Sequence, residues 1–402
     1  MDFDPTAPAF LADPYPALAE LRESTPVLHH KPLDRWFVTR HADVRACLRD
    51  RRLGRNFRHL GTEAEFHAEA LDPRWHAFWD VERWSLLWLE PPDHTRIRKL
   101  VASAFTPKSV EAMREPAVRL ANELLDAFVE SGAMDILYDF AQPYSIGLIC
   151  RWLGVPLDNH RDLLDWSHAM VKMYELDTTE EQAVLASAAA AAFRDYALDL
   201  MAERRRSPRD DLVSGLVGAR VDGERLSDAE IVSTVIVLLN AGHEATVNTL
   251  GNGLNALMKH RAQWQRLVDG SVPAAAAIEE LLRYDPPLQL FERWVLEDGV
   301  EVEGVLIPRG EKIALLFGAA NRDPRVFVEP DGFDVGRSNA ADHISFGGGM
   351  HVCIGAPLAR IELEASLGAL VERCPGLELT AEPRRTPAFV IWGFERVEVA
   401  LR

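Results

Sequence analysis

One short segment near the end of the chain sets a cysteine among glycines. Residues 346–355 read FGGGMHVCIG, and a helix-forming sequence follows Cys353. Three successive glycines let the backbone fold tightly against a flat partner and point peptide N–H groups at the sulfur. The helix that follows adds a second effect, the positive N-terminal end of its dipole. Both effects favour a thiolate over a thiol. The segment therefore predicts chemistry that uses a cysteine thiolate.

Three other roles for Cys353 fit this segment less well. A nucleophilic cysteine needs partnering side chains such as His and Asn, and no such set is apparent in the sequence. A zinc site needs further ligands at short spacing, and His351 with Cys353 has no second pair. A buried structural cysteine is the general expectation, but it does not account for the three glycines and the adjacent histidine.

A carboxylate inside an apolar helix is the second feature with chemical potential. Residues 231–242 contain no charge, so protein must enclose this part on nearly all sides. Gly242 and Glu244 then follow, and each costs stability inside a buried helix. In one interpretation both residues serve packing, since Glu244 finds a salt-bridge partner and Gly242 admits a neighbouring helix. In the other, Glu244 is a functional acid.

The elements that position these residues are mostly helical up to about residue 290. Ser227 and Glu230 have the spacing of a capping box, Leu226 and Ile231 can form a hydrophobic staple around it, and the helical pattern continues to about His260. Further amphipathic stretches, separated by Pro, Gly or Asp, predict helices at about 109–131, 141–153, 158–174 and 180–206.

Short strands are predicted after residue 290, at Val300–Val302, Val305–Ile307 and Lys312–Phe317, and a last helix at about 355–373. The stretch 51–90, which contains Trp75, Trp79, Trp84 and Trp88, is predicted to be an irregular binding loop. Neither a repeat nor a linker divides the chain. The predicted fold class is mainly α with a minor β portion, in a single large domain over residues 1–402.

Composition narrows the classes of function. The 402 residues include 44 Lys and Arg against 62 Asp and Glu, which gives a net charge of −18. This acidity argues against nucleic acid and anionic membranes as partners. The sequence has no apparent signal peptide and no apolar run long enough to span a bilayer. Four cysteines are too few for a disulfide scaffold, so we expect a cytoplasmic protein.

The cysteine segment resembles the haem-ligand signature of cytochrome P450, the haem-thiolate monooxygenases. The matching positions are Phe346, Gly349, His351, Cys353 and Gly355. The resemblance covers essentially the whole chain, because other family motifs have counterparts in the same order. These counterparts are His94–Arg98, Ala241–Glu244, Glu280–Arg283, Arg293 and Asn321–Pro324.

This resemblance implies a P450-like fold and a haem b cofactor whose iron is bound by the thiolate of Cys353. Haem is a large apolar disc with two propionates, and Arg offers a bidentate match to a carboxylate. Glu280 and Arg283, three residues apart on one helix, would form a structural ion pair. The implied cofactor-binding residues are His94, Arg98, Arg293, His351, Phe346, Gly347 and Gly355.

Two positions depart from the family pattern. Family members usually have Thr directly after the acid of the oxygen-binding helix, whereas this chain has Ala245 and then Thr246. Because Ala245 has no hydroxyl, we expect Glu244 to deliver protons with water and a hydroxyl of the substrate, or Thr246 to reach in through a local distortion of the helix. The second departure is Gly332, where the family often has an Arg that joins the Glu280–Arg283 pair, and Arg337 is the candidate replacement.

By resemblance, a mostly apolar pocket lies above the haem, which predicts a hydrophobic organic substrate. Asn240 could bond to a carbonyl or hydroxyl of that substrate, or be satisfied by its own helix backbone. The expected pocket residues are Trp84, Leu87, Val237, Asn240, Ala241, Leu288, Leu290, Val390 and Ile391.

The implied activity is insertion of one oxygen atom from O2, with electrons from a separate ferredoxin and its NAD(P)H-dependent reductase. Arg96, Lys99 and Arg360 are candidates for the surface that binds the ferredoxin. Two alternatives remain open. The first is a peroxide-driven or substrate-assisted haem oxidase, which Ala245 suggests, and the second is a non-catalytic haem protein that senses a gas or carries haem.

Overall fold

Helices form most of this computed structural model, which describes residues 3–156 and 159–401. Strands are confined to small sheets, so the predicted fold class is confirmed. Within the described ranges, no helix combines the length and hydropathy that crossing a bilayer requires. The helices are α1 (Pro8–Ala12), α2 (Tyr15–Ser24), α3 (His41–Cys47), α4 (His76–Glu82), α5 (Asp93–Ala104), α6 (Pro107–Glu111), α7 (Arg114–Val129), α8 (Gln142–Leu153), α9 (His160–Val171), α10 (Glu180–Arg206), α11 (Leu212–Gly218), α12 (Asp228–Lys259), α13 (Arg261–Val268), α14 (Ala274–Tyr284), α15 (Phe317–Ala320) and α16 (Ala356–Arg373).

The strands are β1 (Val27–His30), β2 (Arg35–Val38), β3 (Leu53–Gly54), β4 (Ala133–Asp135), β5 (Leu290–Val295), β6 (Val300–Val302), β7 (Val305–Ile307), β8 (Lys312–Leu316), β9 (Glu378–Leu379) and β10 (Glu398–Ala400). The largest sheet has the order β1-β2-β8-β5-β3, in which only β2 and β8 are parallel neighbours. Pairing of Arg293 with Ile313 across β5 and β8 fixes the position of this arginine in the sheet.

Helix α12 carries the predicted acid through the middle of the helical layer. The Ser227 hydroxyl accepts a hydrogen bond from the Glu230 N–H, and the Glu230 carboxylate accepts one from the Ser227 N–H at 2.8 Å. This capping box begins the helix where the sequence predicts it, and the helix continues for 32 residues. Residues 231–240 are all buried, because α8, α9, α10, α14 and α16 pack around α12.

Two of the predicted elements differ in the structure. The helix expected at 109–131 is divided into α6 and α7, because Pro116 has no N–H to donate and is tolerated only in the first turn of a helix. The stretch 51–90 is not wholly irregular, since it contains α4, and Trp79 lies on that helix.

Other boundaries differ less. The helix expected at 158–174 is α9, which ends at Val171, and Asp158 lies outside the described residues, as do Met1 and Asp2. Strands β1 and β2 lie in the half of the chain predicted to be helical. They pair with each other, and β2 also pairs with the distant strand β8, which holds both in the sheet.

The helical layer and the largest sheet each have an apolar core. The helical core includes Leu239 and Leu250 of α12, and the sheet core includes Val38 of β2 and Ile313 of β8. The cysteine segment connects the two, since Ile344 before it belongs to the sheet core and Leu358 after it to the helical core. The fold thus holds Cys353 between two packed bodies.

Candidate active site

The cysteine segment forms a tight turn before α16. The Cys353 N–H donates to the Phe346 carbonyl at 2.9 Å. Gly347 and Gly349 have φ angles of +69° and +65°, in the left-handed region that favours glycine. A Cβ atom on Gly349 would lie 2.1 Å from the carbonyl oxygen of Leu48, at the end of α3. These glycines therefore permit the turn itself and its close approach to α3.

Cys353 is exposed as a residue, whereas Cys47, Cys150 and Cys374 are buried. Protein atoms nevertheless surround its thiol, and this burial raises the pKa of the thiol. The peptide N–H groups of Gly355 and Ala356 lower that pKa, as do nearby guanidinium groups, but they do not outweigh burial. The peptide N–H groups thus act in the predicted direction, although burial outweighs them. A metal cation bonded to the sulfur would deprotonate it outright.

The four basic residues predicted around the cysteine come together. The rings of His94 and His351 lie 4.4 Å apart. Arg98 lies next to them, and its Nη2 donates to the carbonyl of Val352 at 2.6 Å. Burial lowers the pKa of His351, and the positive charge of Arg293 lowers it further. The cluster thus extends from the cysteine segment to strand β5.

Among these basic groups, within the described ranges, only His351 has an acidic side chain in contact, since its Nε2 lies 3.5 Å from Oε1 of the buried Glu90 side chain. His94 and Arg293 are only 1% and 2% exposed. Burial lowers the pKa of His94 to about 4 and that of Arg293 to about 9. Within the described ranges Arg293 forms no salt bridge, and the Nε2 atom of His94 has no hydrogen-bond partner. Such a cluster is costly unless anionic groups are bound there, so the geometry fits a ligand with carboxylates.

Arg55 joins this cluster, although the sequence analysis missed it. Its guanidinium group lies 3.9 Å above the Phe291 ring, and its Nη1 donates to the Glu292 carbonyl at 2.6 Å. Its charge helps to lower the pKa of Arg293. No motif marks Arg55. It lies beside Arg293 because β3 pairs with β5, with Gly54 opposite Trp294.

Helix α12 presents a narrow apolar strip to open space. Ala241 and Ala245 are exposed, although most of their neighbours on the helix are buried. The two residues are one turn apart and therefore share a face of the helix. The helix packs on α16, which directly follows the cysteine segment. A flat apolar group with carboxylates could thus lie between the strip and the thiol, and the strip offers no hydroxyl.

Glu244 is turned toward α9. Its Oε1 lies 3.3 Å from Nε2 of His168, and burial raises the pKa of the carboxyl despite the opposing effects of His168 and Lys172. A Cβ atom on Gly242 would lie 3.3 Å from Cδ1 of Ile149 on α8. The contact with His168 and the close approach of Ile149 agree with the packing interpretation, and a role of Glu244 as an acid is compatible with them.

Thr246 does not reach the open strip. Its hydroxyl donates to the Gly242 carbonyl at 2.9 Å and lies 3.2 Å from the Glu362 carboxyl of α16. The helix is continuous here, and successive residues are about 100° apart around it, so Thr246 faces away from Ala245. The expectation that a distortion of the helix brings Thr246 into the pocket is wrong.

The predicted pocket residues fall into two groups. Leu290 and Val390 are 2% and 5% exposed and belong to an apolar core with Phe10, so they serve packing and do not line an open pocket. Val237 and Asn240 are also buried. The residues that are exposed or half-buried are Trp84, Leu87, Ala241, Leu288 and Ile391.

Asn240 is not satisfied by its own helix. Its Nδ2 lies 3.8 Å from the sulfur of Met170 on α9, and its Oδ1 has no hydrogen-bond partner among the described residues. The expectation of a bond to the helix backbone is therefore wrong, and Asn240 faces α9.

An ion-pair network holds the segment before the cysteine. Glu280 and Arg283 are fully buried and form two hydrogen bonds, of 2.6 and 2.8 Å. Arg337 lies 3.2 Å from the Glu280 carboxylate and donates to the Gly332 carbonyl at 2.8 Å. It thus supplies a third member of the network, which Gly332 cannot provide.

The three cations proposed for a ferredoxin surface are not free. Arg96 pairs with Glu230, Lys99 lies 2.6 Å from Asp222, and Arg360 lies 2.6 Å from Glu279. Each positive charge is neutralised by a nearby carboxylate, so these residues do not form the expected basic patch.

Comparisons with known proteins agree with this geometry. A family model with the description "Cytochrome P450" matches residues 61–269 and 274–388 of this chain. Polyketide biosynthesis cytochrome P450 PksS of Bacillus subtilis is 36% identical, over 95% of this chain and 93% of its own length. 6-Deoxyerythronolide B hydroxylase of Saccharopolyspora erythraea is 38% identical, over 92% of this chain and 91% of its own.

The fold is also similar to solved structures. The crystal structure of P450BioI with a hexadec-9Z-enoic acid ligated acyl carrier protein has a TM-score of 0.91 at 32% identity, covering 98% of this chain and 99% of that one. The structure of PksS has a TM-score of 0.90 at 35% identity, covering 99% of both chains.

Proposed function

Since this chain belongs to the cytochrome P450 family and is a haem-thiolate monooxygenase, we propose that it oxidises a hydrophobic, polyketide-like substrate that carries its own hydroxyl group. The family supplies the reaction, in which one oxygen atom of O2 is inserted into an organic molecule. The substrate class, the residues of the site and the electron donor are the proposal.

We assign the haem iron to Cys353 and the propionates to the basic cluster. When bound, the haem supplies the iron at which O2 is activated, and a thiolate ligand favours cleavage of the O–O bond. Arg293 and His94 are buried and form no salt bridge among the described residues, and Glu90 is the acidic group that acts on both, so two propionates would supply the missing contacts. Arg98, His351 and Arg55 would complete the carboxylate-binding side. Phe346, Gly347 and Gly355 would surround the sulfur.

Glu244 is the acid that we propose for proton delivery. Burial raises its pKa, so it can hold a proton nearer neutral pH than an exposed glutamate. Its carboxyl is turned toward His168, so a proton would pass from it through water. Thr246 is excluded from this path by its bonds to Gly242 and Glu362.

The exposed strip of Ala241 and Ala245 carries the substrate proposal. Both side chains are methyl groups, so at this face of α12 the protein supplies no hydroxyl that could orient water. A hydroxyl on the substrate would fill that role. Two relatives have names that point to polyketide metabolism, PksS and the 6-deoxyerythronolide B hydroxylase, and such carbon skeletons commonly combine apolar surface with hydroxyls.

A matched pair of ligands and one variant test this proposal. A polyketide-like substrate and its deoxy analogue, which lacks the hydroxyl nearest the oxidised carbon, would be turned over by the wild type and by Ala245→Thr. We expect the wild type to convert reductant into product efficiently only with the hydroxylated compound, and the variant to improve coupling with the deoxy compound. Equal coupling of the wild type with both compounds would contradict substrate assistance.

The same assay separates the alternative chemistries. Because the protein offers no hydroxyl at Ala245, a peroxide-driven reaction is the second candidate. Turnover with hydrogen peroxide that exceeds turnover with a surrogate ferredoxin system would favour it. Failure of every hydrophobic compound to change the haem spectrum would instead favour a non-catalytic haem protein.

For electron supply we propose a ferredoxin with its NAD(P)H reductase, bound beside the cysteine segment. Arg45, Arg49 and Arg51 are exposed and have no ion pair among the residues that the structure describes. They flank the segment, since a Cβ atom on Gly349 would lie 3.3 Å from Cα of Arg49. Arg49→Glu should raise the KM for an acidic ferredoxin and leave peroxide-driven turnover unchanged. Equal loss of both activities would contradict this surface.

We also propose that the chain acts as one domain in the cytoplasm. Helix α12 packs against elements from both halves of the chain, from α8 to α16. All four cysteines are unpaired, which suits a reducing compartment. Limited proteolysis that yields one resistant core would support the single domain.

A further inference from the structure

Two histidines and a carboxylate meet where α9 packs against α12. His168 of α9 and His243 and Glu244 of α12 each offer one ligand atom, and these atoms lie within 4.8 Å of one another. The shortest separation is 3.3 Å, between Nε2 of His168 and Oε1 of Glu244. The two imidazole rings are 5.7 Å apart.

His243 is the least expected member of this group. It is 0% exposed, and neither ring nitrogen has a hydrogen-bond partner within the described ranges. Burial lowers the pKa of His243 to about 3, so near neutral pH the ring keeps an unprotonated nitrogen. Buried polar groups are nearly always paired, and an orphan of this kind indicates a missing ion or water.

Further buried polar atoms without hydrogen-bond partners lie on the same two helices, α9 and α12. Asn240, one turn before Glu244, has an unpaired Oδ1, and its Nδ2 faces Met170 of α9. The Ser167 hydroxyl next to His168 is also buried without a partner. Both helices thus carry buried polar atoms without partners close to His168 and Glu244 in the chain.

We propose that His168, His243 and Glu244 form a binding site for a zinc-class divalent cation that ties α9 to α12. Two imidazoles and one carboxylate are a typical three-ligand set for zinc, with a fourth position open to water. Ligands about 2.1 Å from a tetrahedral ion are about 3.4 Å apart, close to the separation already present between His168 and Glu244. Calcium and magnesium prefer oxygen ligands and are poor candidates.

The site has an entry route from solvent. The side chain of His168 is 40% exposed, whereas that of Glu244 is only 15% exposed. Lys172, four residues after His168, is the other cation that acts on Glu244, and it is exposed, so it can move away as an ion enters. Small rotations of the two imidazoles would close the remaining separations.

A cation here would regulate the enzyme. It would occupy the carboxylate that we propose for proton delivery and fix α9 over α12. Zinc should therefore slow turnover and lower coupling. This consequence rests on the proposed role of Glu244, but binding of the ion does not.

Titration calorimetry of zinc chloride into the untagged, haem-loaded protein tests binding separately from activity. We expect one zinc per chain. His168→Ala should weaken binding by at least about 10-fold, because loss of a ligand costs no less than loss of a group that only orients one. His243→Asn should do the same, and His168→Ala keeps the test valid if the buried position does not tolerate Asn.

His29→Ala is the matched control. His29, Asp34 and Glu311 form the other group of potential ligands among the described residues, on a more exposed part of the molecule. The control should bind zinc like the wild type and stay sensitive to zinc in turnover, whereas His168→Ala should lose both.

Three results would overturn the inference. They are no stoichiometric binding to the wild type, unchanged binding in His168→Ala, and loss of binding in His29→Ala. Since all three are read from heat and stoichiometry, they leave the proposed monooxygenase substrate untouched. Failure of the substrate assay would likewise leave the zinc measurement valid.

Discussion

Replacing Glu362 with glutamine should flatten the pH dependence of stability. Glu362 of α16 is 3% exposed, and its carboxyl contacts the Thr246 hydroxyl at 3.2 Å. Burial raises its pKa from 4.5 to about 8, against a smaller opposing effect of Thr246. Glutamine has the same shape, cannot ionise, and can keep the hydrogen bond to Thr246.

The sign and size of this effect on the free energy of unfolding follow from the pKa values of Glu362 in the folded protein and in the unfolded chain. Because the folded-state pKa is raised, the folded protein holds a proton that the unfolded chain releases above pH 4.5. The contribution to stability is therefore fully present below pH 4.5 and is lost as pH rises through 8. With pKa values of 4.5 in the unfolded chain and about 8 in the folded protein, the free energy of unfolding should fall by about 3 kcal/mol between pH 5.5 and pH 8.5.

Urea unfolding of the haem-loaded wild type and Glu362→Gln at these two pH values measures the effect. The change in the free energy of unfolding between the two pH values is compared between wild type and variant. All other titrating groups are common to both proteins, so they cancel in this double difference. Glu372→Gln, an exposed change on the same helix, is the control and should behave like the wild type. A double difference below about 1 kcal/mol would refute a buried neutral acid at Glu362.

Three further predictions concern the site and its support. Cys353→Ser should abolish the red-shifted absorption of the reduced carbon monoxide adduct, because that band depends on sulfur ligation, and its persistence would exclude Cys353 as ligand. Arg293→Gln should speed haem transfer to an excess of a scavenging apoprotein by about 30-fold or more, since truncating one partner of a buried charge pair costs at least about 2 kcal/mol. The exposed change Arg396→Gln should have no effect, and equal rates in both would contradict propionate binding. Arg337→Gln should lower the free energy of unfolding by about 1–3 kcal/mol in urea, because Glu280 is fully buried and loses one of its partners. A loss below about 0.5 kcal/mol would remove Arg337 from the network.

The long helices could be predicted with accurate boundaries because their signals are local. Helix α10 spans Glu180–Arg206 as expected, since the capping box of Thr179 and Gln182 begins it. Helix α12 begins at its predicted cap for the same reason. In contrast, β1 and β2 were missed, because each has only four residues and the partner that holds β2 in the sheet, β8, is far away in sequence.

The site divides in the same way. The residue types of the cysteine segment are evident from the sequence, and the basic residues that gather beside it were implied by the resemblance to the family. The pKa values of these groups are not evident from the sequence, because they depend on how deeply each group is buried. The peptide N–H groups near Cys353 favour the thiolate as the sequence predicted, whereas the burial of the sulfur, which the sequence does not reveal, raises its pKa.

The sequence by itself determined the helices, the cysteine turn and the kind of chemistry, because capping, glycine geometry and side-chain type act over a few residues. Only the tertiary structure decided that Arg55 lies beside Arg293, that Glu244 meets His168 and that Thr246 faces Glu362. The physical reason is that burial and charge depend on which distant segments pack together, and no local pattern of residues specifies those neighbours.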